Sequence, residues 1–131
     1  MIRLIDPDGL LRNATFSQLA IASGSKTIHT SGQVSVDERG NVVGAGDLAA
    51  QTTQAMSNLR LALSAAGATF ADVVKTTTFV VGMKADQREV ITNAKKPFWG
   101  GHAPPPSALI GVSALARAEW LIEIEAVAVI D

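Results

Sequence analysis

Residues 122–130, Ile-Glu-Ile-Glu-Ala-Val-Ala-Val-Ile, carry the strongest indication of the fold. They form the core of a final strand that we predict over residues 119–130. Successive side chains of a β-strand point to opposite faces of the sheet. One face therefore carries Ile122, Ile124, Ala126, Ala128 and Ile130, and the other carries Leu121, Glu123, Glu125, Val127 and Val129. Because both faces contain aliphatic side chains, both faces of the sheet should be covered.

Working outward from this strand, apolar runs and turn signals predict the remaining elements. A hairpin is expected where residues 16–22 and 26–36 flank the turn Ser23-Gly24-Ser25. A second turn at residues 37–41 precedes a short return strand at Val42 and Val43. Other strands are predicted at residues 2–5, 73–81 and 107–112, and helices at residues 47–66 and 86–96.

The first helix has the clearest signals. Asp47 can accept backbone N–H bonds as its N-cap, and Gly67 suits the left-handed position after its last turn. The side chains that follow the 3.6-residue period are Leu48, Thr52, Ala55, Met56, Leu59 and Leu63. Pro97 should end or kink the second helix, and residues 99–106 should form a loop.

This order of elements predicts an α+β fold, in which a mixed β-sheet has two helices packed on one face. All of residues 1–131 are expected to form a single domain. Two helices cover only one face of such a sheet. A second copy of the sheet is the simplest cover for the other face, so we predict a closed homo-oligomer.

Composition excludes several classes of protein. The 131 residues carry a formal net charge of −1, so there is no overall positive field to attract nucleic acid. With no cysteine, disulfides and thiolate chemistry are absent. We find no signal-peptide pattern and no apolar run suited to a membrane span, and therefore expect a cytoplasmic protein. Charged residues are 18% of the chain, below the usual ~25%, which agrees with a surface partly covered by other subunits.

Glu123 and Glu125 are the first candidates for chemistry. They share the strand face with Leu121, Val127 and Val129, and a carboxylate among aliphatic side chains is costly unless it is paired or protonated. Such a group can serve as a general acid or base at a subunit interface. The alternative is a pair of charges at a solvated edge or in an interfacial salt bridge. The two histidines, His29 and His102, have no metal-ligand spacing, so no metal or other cofactor is expected.

Several segments, in order along nearly the whole chain, resemble the Rid family, also called YjgF or enamine/imine deaminases. Thr30-Ser31-Gly32-Gln33-Val34 resembles its early-strand motif. The segments from Asp47 to Leu59, Ala65 to Ala68 and Asp72 to Val80 resemble its first helix, the following turn and the next strand. Residues 122–129 resemble its closing strand.

The resemblance implies a chorismate-mutase-like fold and a homotrimer, with sheets facing a central barrel and small-molecule clefts between subunits. It also implies a hydrolase that converts small reactive imines or enamines to a ketone and ammonia. Glu123 then corresponds to the glutamate that activates water. Ser31 and Gly32 correspond to the polar early-strand motif. The family's tyrosine maps to Phe16, its asparagine to Thr92 or Asn93, and Trp99 adds an apolar wall.

The family's carboxylate-binding arginine has no counterpart, because its position maps to Ser107 and no arginine lies in that loop. A hydroxyl lacks the charge and the fork of a guanidinium. We therefore expect a branch of the family with weak or no activity on carboxylate-bearing substrates such as 2-aminoacrylate. Its substrate either has no carboxylate or meets a charge from Arg12. Arg88, Lys95 and Lys96, on the second predicted helix, are interpreted as a solvated face.

Two other functions stay open. A non-catalytic trimer could bind a small molecule, or act like a chaperone, through the same clefts. An endoribonuclease is disfavoured by the net charge, the absence of tyrosine and the lack of a histidine pair. The expected partners are thus other copies of this chain and a small molecule, with neither nucleic acid nor membrane.

Overall fold

A computed structural model describes residues 1–131. Its eight principal elements, in chain order, are β1 (Ile2–Ile5), β2 (Leu19–Ala22), β3 (Lys26–His29), α1 (Leu48–Ala65), β4 (Val73–Val81), α2 (Gln87–Lys95), β5 (Ser107–Val112) and β6 (Ile122–Ile130). Short 3-10 turns at Phe70–Asp72 and Lys96–Trp99 precede β4 and follow α2.

Four strands form the main sheet in the order β3-β6-β4-β5. The final strand, β6, lies in the middle and pairs antiparallel with β3 and β4. β4 and β5 are parallel, as two strands joined through a helix should be. The predicted α+β class and mixed sheet are therefore confirmed.

Both helices lie on one face of this sheet. Met56, Leu59 and Leu63 of α1 and Ile91 of α2 are buried in the same core as the apolar face of β6. That face consists of Ile122, Ile124, Ala126 and Ala128, all at most 3% exposed. Burial of each large aliphatic side chain contributes roughly 2 kcal/mol. On the opposite face, Glu123, Glu125, Val127 and Val129 stay partly exposed in the single chain.

The first helix follows its sequence signals. The Asp47 carboxylate accepts a hydrogen bond from the Ala50 N–H at 3.0 Å, and Gly67 has a φ of 79°. None of the helices combines the length and the apolar character that crossing a bilayer requires.

The predicted hairpin at residues 23–25 is wrong. β2 pairs with β1 in a separate two-stranded sheet, whereas β3 pairs with β6. Gly24 explains how the chain passes between them, since a Cβ there would lie 2.5 Å from the Ile130 carbonyl oxygen. This close approach brings the segment onto the end of β6, so that β3 extends the main sheet instead of folding back on β2.

Other boundaries also differ from prediction. The strand predicted over residues 16–22 begins only at Leu19. The strand predicted over residues 26–36 ends at His29. The return strand at Val42 and Val43 is reduced to one bridge between Val36 and Val42. The final strand begins at Ile122 because the Trp120 N–H donates to the Arg117 carbonyl in a turn.

Candidate functional site

Glu123 lies in the middle of β6, on the face away from the helices. Its cross-strand partner is Phe79 of β4, whose partner is Ile110 of β5. Residues directly opposite each other share a face, so the carboxylate lies in a row with an aromatic ring and an aliphatic side chain. It is half-buried even in the single chain.

The backbone at Gly32 covers the other side of this carboxylate. A Cβ added to Gly32 would lie 2.5 Å from Glu123 Cδ and 2.9 Å from Oε2. Only glycine leaves room for the two to lie so close. The structure thus brings Gly32 and Glu123 together, with Ser31 exposed beside them.

An irregular pairing places Gly32 there. His29 pairs with Val127 and Gln33 pairs with Ile124, which leaves one residue more on the Gly32 side than on β6. Such an extra residue bends the chain locally. Gln33 and Ile124 exchange two backbone hydrogen bonds of 2.8 and 2.9 Å, which fix the end of the bend. The Asn58 amide of α1 holds the following segment by donating to the carbonyls of Val34 and Val36.

A cavity of about 500 Å³ lies between α2, the starts of β4 and β5, and the loop before β2. This volume is within the range of small-ligand sites. Its walls include every remaining residue that the sequence assigned to substrate: Phe16, Thr92, Asn93, Trp99 and Ser107. Thr92 and Asn93 both line it, with Thr92 the less exposed of the two.

Two sets of contacts form the cavity walls. The Ser17 hydroxyl donates to the Pro104 carbonyl at 2.7 Å, and this bond ties the N-terminal loop to the proline segment. The Trp99 ring packs edge-on against Phe70, with centroids 5.5 Å apart. Because Trp99 ends the 3-10 turn after α2, the predicted loop begins only at Gly100.

Lys95 corrects the interpretation of α2 as a solvated face. Arg88 and Lys96 are exposed, but Lys95 is half-buried and points to β4, where its Nζ donates to the Thr78 hydroxyl at 2.5 Å. No carboxylate lies within salt-bridge distance, because the one ion pair of the chain joins Arg12 and Asp8. Burial of the ammonium group lowers the pKa of Lys95 from 10.5 to about 8. The charge pattern alone does not show which lysine faces the sheet, but the helical period does, because Lys95 lies four residues after the buried Ile91 and so shares its face of α2.

The predicted site residues thus form two groups in one chain. Ser107 pairs with Thr76, a buried residue of the helix side, so both belong to that side of the sheet. Glu123 lies on the other side. Arg12, the proposed substitute for the missing arginine, is exposed and does not line the cavity. No three His, Asp or Glu side chains come together as metal ligands would.

Known proteins resemble this chain over most of its length. The family model described as Endoribonuclease L-PSP matches residues 9–130. Protein DfrA of Myxococcus xanthus is 35% identical over 87% of this chain and 84% of its own. The 2-iminobutanoate/2-iminopropanoate deaminase of Rattus norvegicus is 35% identical over 79% of this chain and 73% of its own.

A solved structure extends the likeness to the whole fold. The protein YyfB of Yersinia pestis, described as a protein of unknown function of the conserved Rid family, superimposes with a TM-score of 0.95. It is 39% identical, and the match covers 98% of both chains.

Proposed function

Because this chain belongs to the Rid (YjgF) family, we propose that it hydrolyses small reactive imines or enamines to a carbonyl compound and ammonia. The observation that carries the proposal is the position of Glu123, a half-buried carboxylate held between Gly32 and Phe79 on the open face of the sheet. The similarity to imine deaminases at about 35% identity supports the same reaction class.

The chemistry asked of Glu123 is general base catalysis. An enamine first tautomerises to the imine. The Glu123 carboxylate accepts a proton from water as the water oxygen bonds to the imine carbon, and the carboxyl group then passes this proton to the imine nitrogen. In the collapse of the resulting carbinolamine, the carboxylate takes the hydroxyl proton and delivers it to the nitrogen as the C–N bond breaks, which forms the carbonyl and releases ammonia. A positioned base of this kind contributes typically 10²–10⁴-fold to the rate.

We further propose that the complete site lies between copies of the chain in a homotrimer. The mapped residues lie on opposite sides of one sheet, which supports a cleft in which Glu123 of one copy meets the cavity of the next. The partly exposed valines of β6 give such a copy an apolar surface to cover.

Substrate preference should differ from that of relatives with an arginine at the start of β5. Ser107 offers a hydroxyl and no charge there, so the bidentate grip on a carboxylate is absent. We expect lower turnover of 2-aminoacrylate than in those relatives, and relatively better turnover of imines without a carboxylate.

The test is ammonia release from 2-aminoacrylate, generated in the assay, and from a carboxylate-free imine. Wild-type protein should exceed the uncatalysed rate with at least one of them, and Glu123→Ala should lose at least a hundredfold. Glu125→Ala is the matched control, since Glu125 lies two residues along the same face of β6 opposite Thr77. Unchanged ammonia release by Glu123→Ala would reject the proposed function and favour a non-catalytic binding protein.

A further inference from the structure

The cavity has an uneven distribution of charge. Its 17 lining residues include three cations, Arg88, Lys95 and Lys96, and no acidic side chain. These three are the only charged groups that the chain itself contributes, since the contributions of β4, β5 and the N-terminal loop are all neutral. In the proposed trimer, Glu123 of a neighbouring copy would be the one acidic group that faces this cavity. A site with cations and no acid attracts an anion.

Of the three cations, Lys95 is the one held inside. An ammonium group has three N–H donors, and Thr78 is the only protein acceptor for those of Lys95. Two donors are therefore left for a ligand. Leaving a buried charge without a counter-ion is costly in the empty state, and an anion in the cavity would remove that cost.

The remaining walls indicate what the anion should carry. Phe16, Ile91 and Trp99 give apolar surface, while the hydroxyls of Thr76, Thr92 and Ser107 can orient a polar group. From this arrangement we propose that Lys95 is the anion-binding residue of the cavity and takes the carboxylate of a small ligand with an apolar body. Because an ammonium group is a point charge without the fork of a guanidinium, it binds a carboxylate less firmly than an arginine does, which agrees with lower turnover of 2-aminoacrylate than in relatives that have the arginine. Lys95 as the anion-binding residue rests on the proposed function in one respect, which is that the cavity is taken as the place where the substrate binds.

A carboxylate fits this charge better than a phosphate does. Arg88 and Lys96 are exposed, so solvent screens their charges. The interior of one chain then holds one positive charge, which one carboxylate balances, and Glu123 of a neighbouring copy would disfavour a second negative charge on the ligand. A dianionic phosphate would leave negative charge uncompensated in a partly desolvated place.

Calorimetric titration with stable probes tests the proposal without turnover. Benzoate is the test ligand, benzamide its neutral counterpart and phenyl phosphate the dianion, each titrated into the intact oligomer at pH 7. Benzoate should bind at least tenfold more tightly than benzamide, as expected for a charge-assisted bond. Lys95→Met should lose at least tenfold in benzoate affinity, whereas Lys84→Met, at an exposed lysine outside the cavity, should stay within about twofold.

The wild-type protein supplies a second measurement that needs no variant. Because the pKa of Lys95 is about 8, its charge is present at pH 7 and largely lost at pH 9.5. Benzoate affinity should therefore fall about tenfold or more over this interval, while benzamide affinity should not change.

Four results would overturn the assignment: equal binding of benzoate and benzamide, unchanged benzoate affinity in Lys95→Met, tighter binding of phenyl phosphate, or pH-independent affinity. Failure of the proposed function gives a different result. In that case Glu123→Ala would leave ammonia release unchanged, while the benzoate data would still follow Lys95.

Discussion

The two sides of the central sheet each hold one unusual ionisable group, and they hold it in different ways. Glu123 lies on the open side, against the backbone of Gly32 and opposite its cross-strand neighbour Phe79. Lys95 lies on the helix side, inside a cavity closed by α2 and the N-terminal loop. The open side has a carboxylate without a pocket, and the helix side has a pocket with a cation and no carboxylate.

Because of this difference, neither side by itself could be a complete site for the proposed deamination in one chain. A water-activating carboxylate must lie within hydrogen-bond reach of the water that attacks the bound substrate. The sheet separates Glu123 from the residues that would bind that substrate. In the proposed trimer, association of copies would remove this separation, so oligomerisation and activity should be lost together.

The largest expected effect comes from breaking the association itself. Val127→Asp places a charge on the partly exposed face of β6, where a neighbouring copy should pack. We expect dissociation to single chains and loss of ammonia release, measured by sedimentation velocity and the deaminase assay. Leu61→Asp, at a residue of α1 that is 68% exposed, should leave both unchanged. A fully active Val127→Asp oligomer would contradict the proposed arrangement of copies.

Gly32→Ala should have the next largest effect, because it acts on the Glu123 side alone. The added Cβ lies 2.5 Å from Glu123 Cδ, so the carboxylate must move. A displacement of about 1 Å can cost about a hundredfold in rate. The control is Gly111→Ala, whose Cβ would make an ordinary 3.4 Å contact with Met83. Benzoate binding should be unaffected by either substitution, and full activity in Gly32→Ala would show that Glu123 is misassigned.

The burial of Lys95 in the cavity should make the free energy of unfolding depend on pH. Lys95 has a pKa lowered to about 8, whereas in the unfolded chain it returns to 10.5. Between these values the unfolded state binds the additional proton, so the free energy of unfolding rises with pH. From pH 7 to 9.5 the gain should be about 2 kcal/mol. Chemical denaturation should show this rise in the wild type and not in Lys95→Met. If the free energy of unfolding depended on pH equally in both proteins, Lys95 would be as well solvated in the folded state as in the unfolded state.

The smallest effects should come from the exposed cations of the same cavity. Arg88→Gln and Lys96→Met remove charges that water already screens, and each should weaken benzoate binding by no more than about threefold. This comparison sharpens the assignment to Lys95, because a diffuse positive field would make all three substitutions equivalent.

Sequence patterns predicted much of the fold. The period of α1, the cap at Asp47 and the alternation in residues 122–130 each identified an element whose side chains are now seen in one core. The hairpin failed because turn signals at residues 23–25 show that the chain changes direction and not which strand it joins. The close contact between Gly24 and Ile130 is a tertiary feature.

The sequence proposed the members of the candidate site and not their arrangement. The alternation of carboxylates with aliphatic side chains picked out Glu123 and Glu125 equally, and only the family resemblance selected Glu123. Lys95 lies four residues after the buried Ile91 and so shares its helix face, whereas Lys96 does not, but the hydrogen bond to Thr78 is visible only in the structure. The pairing of β4 with β5 places Ser107 on the helix side of the sheet, opposite the side of Glu123. The sequence pattern does not show which strands pair.

The most direct test of the central claim mixes two inactive variants. Glu123→Ala removes the base, and Ser107→Trp fills the cavity from an exposed position at its rim. If each cleft takes Glu123 from one copy and the cavity from the next, random trimers of the two variants contain intact clefts in about a quarter of positions. Co-refolded mixtures should then recover about a quarter of the wild-type rate of ammonia release, although neither variant alone is active. A mixture as inactive as its components would show that the two groups of residues do not work together across subunits.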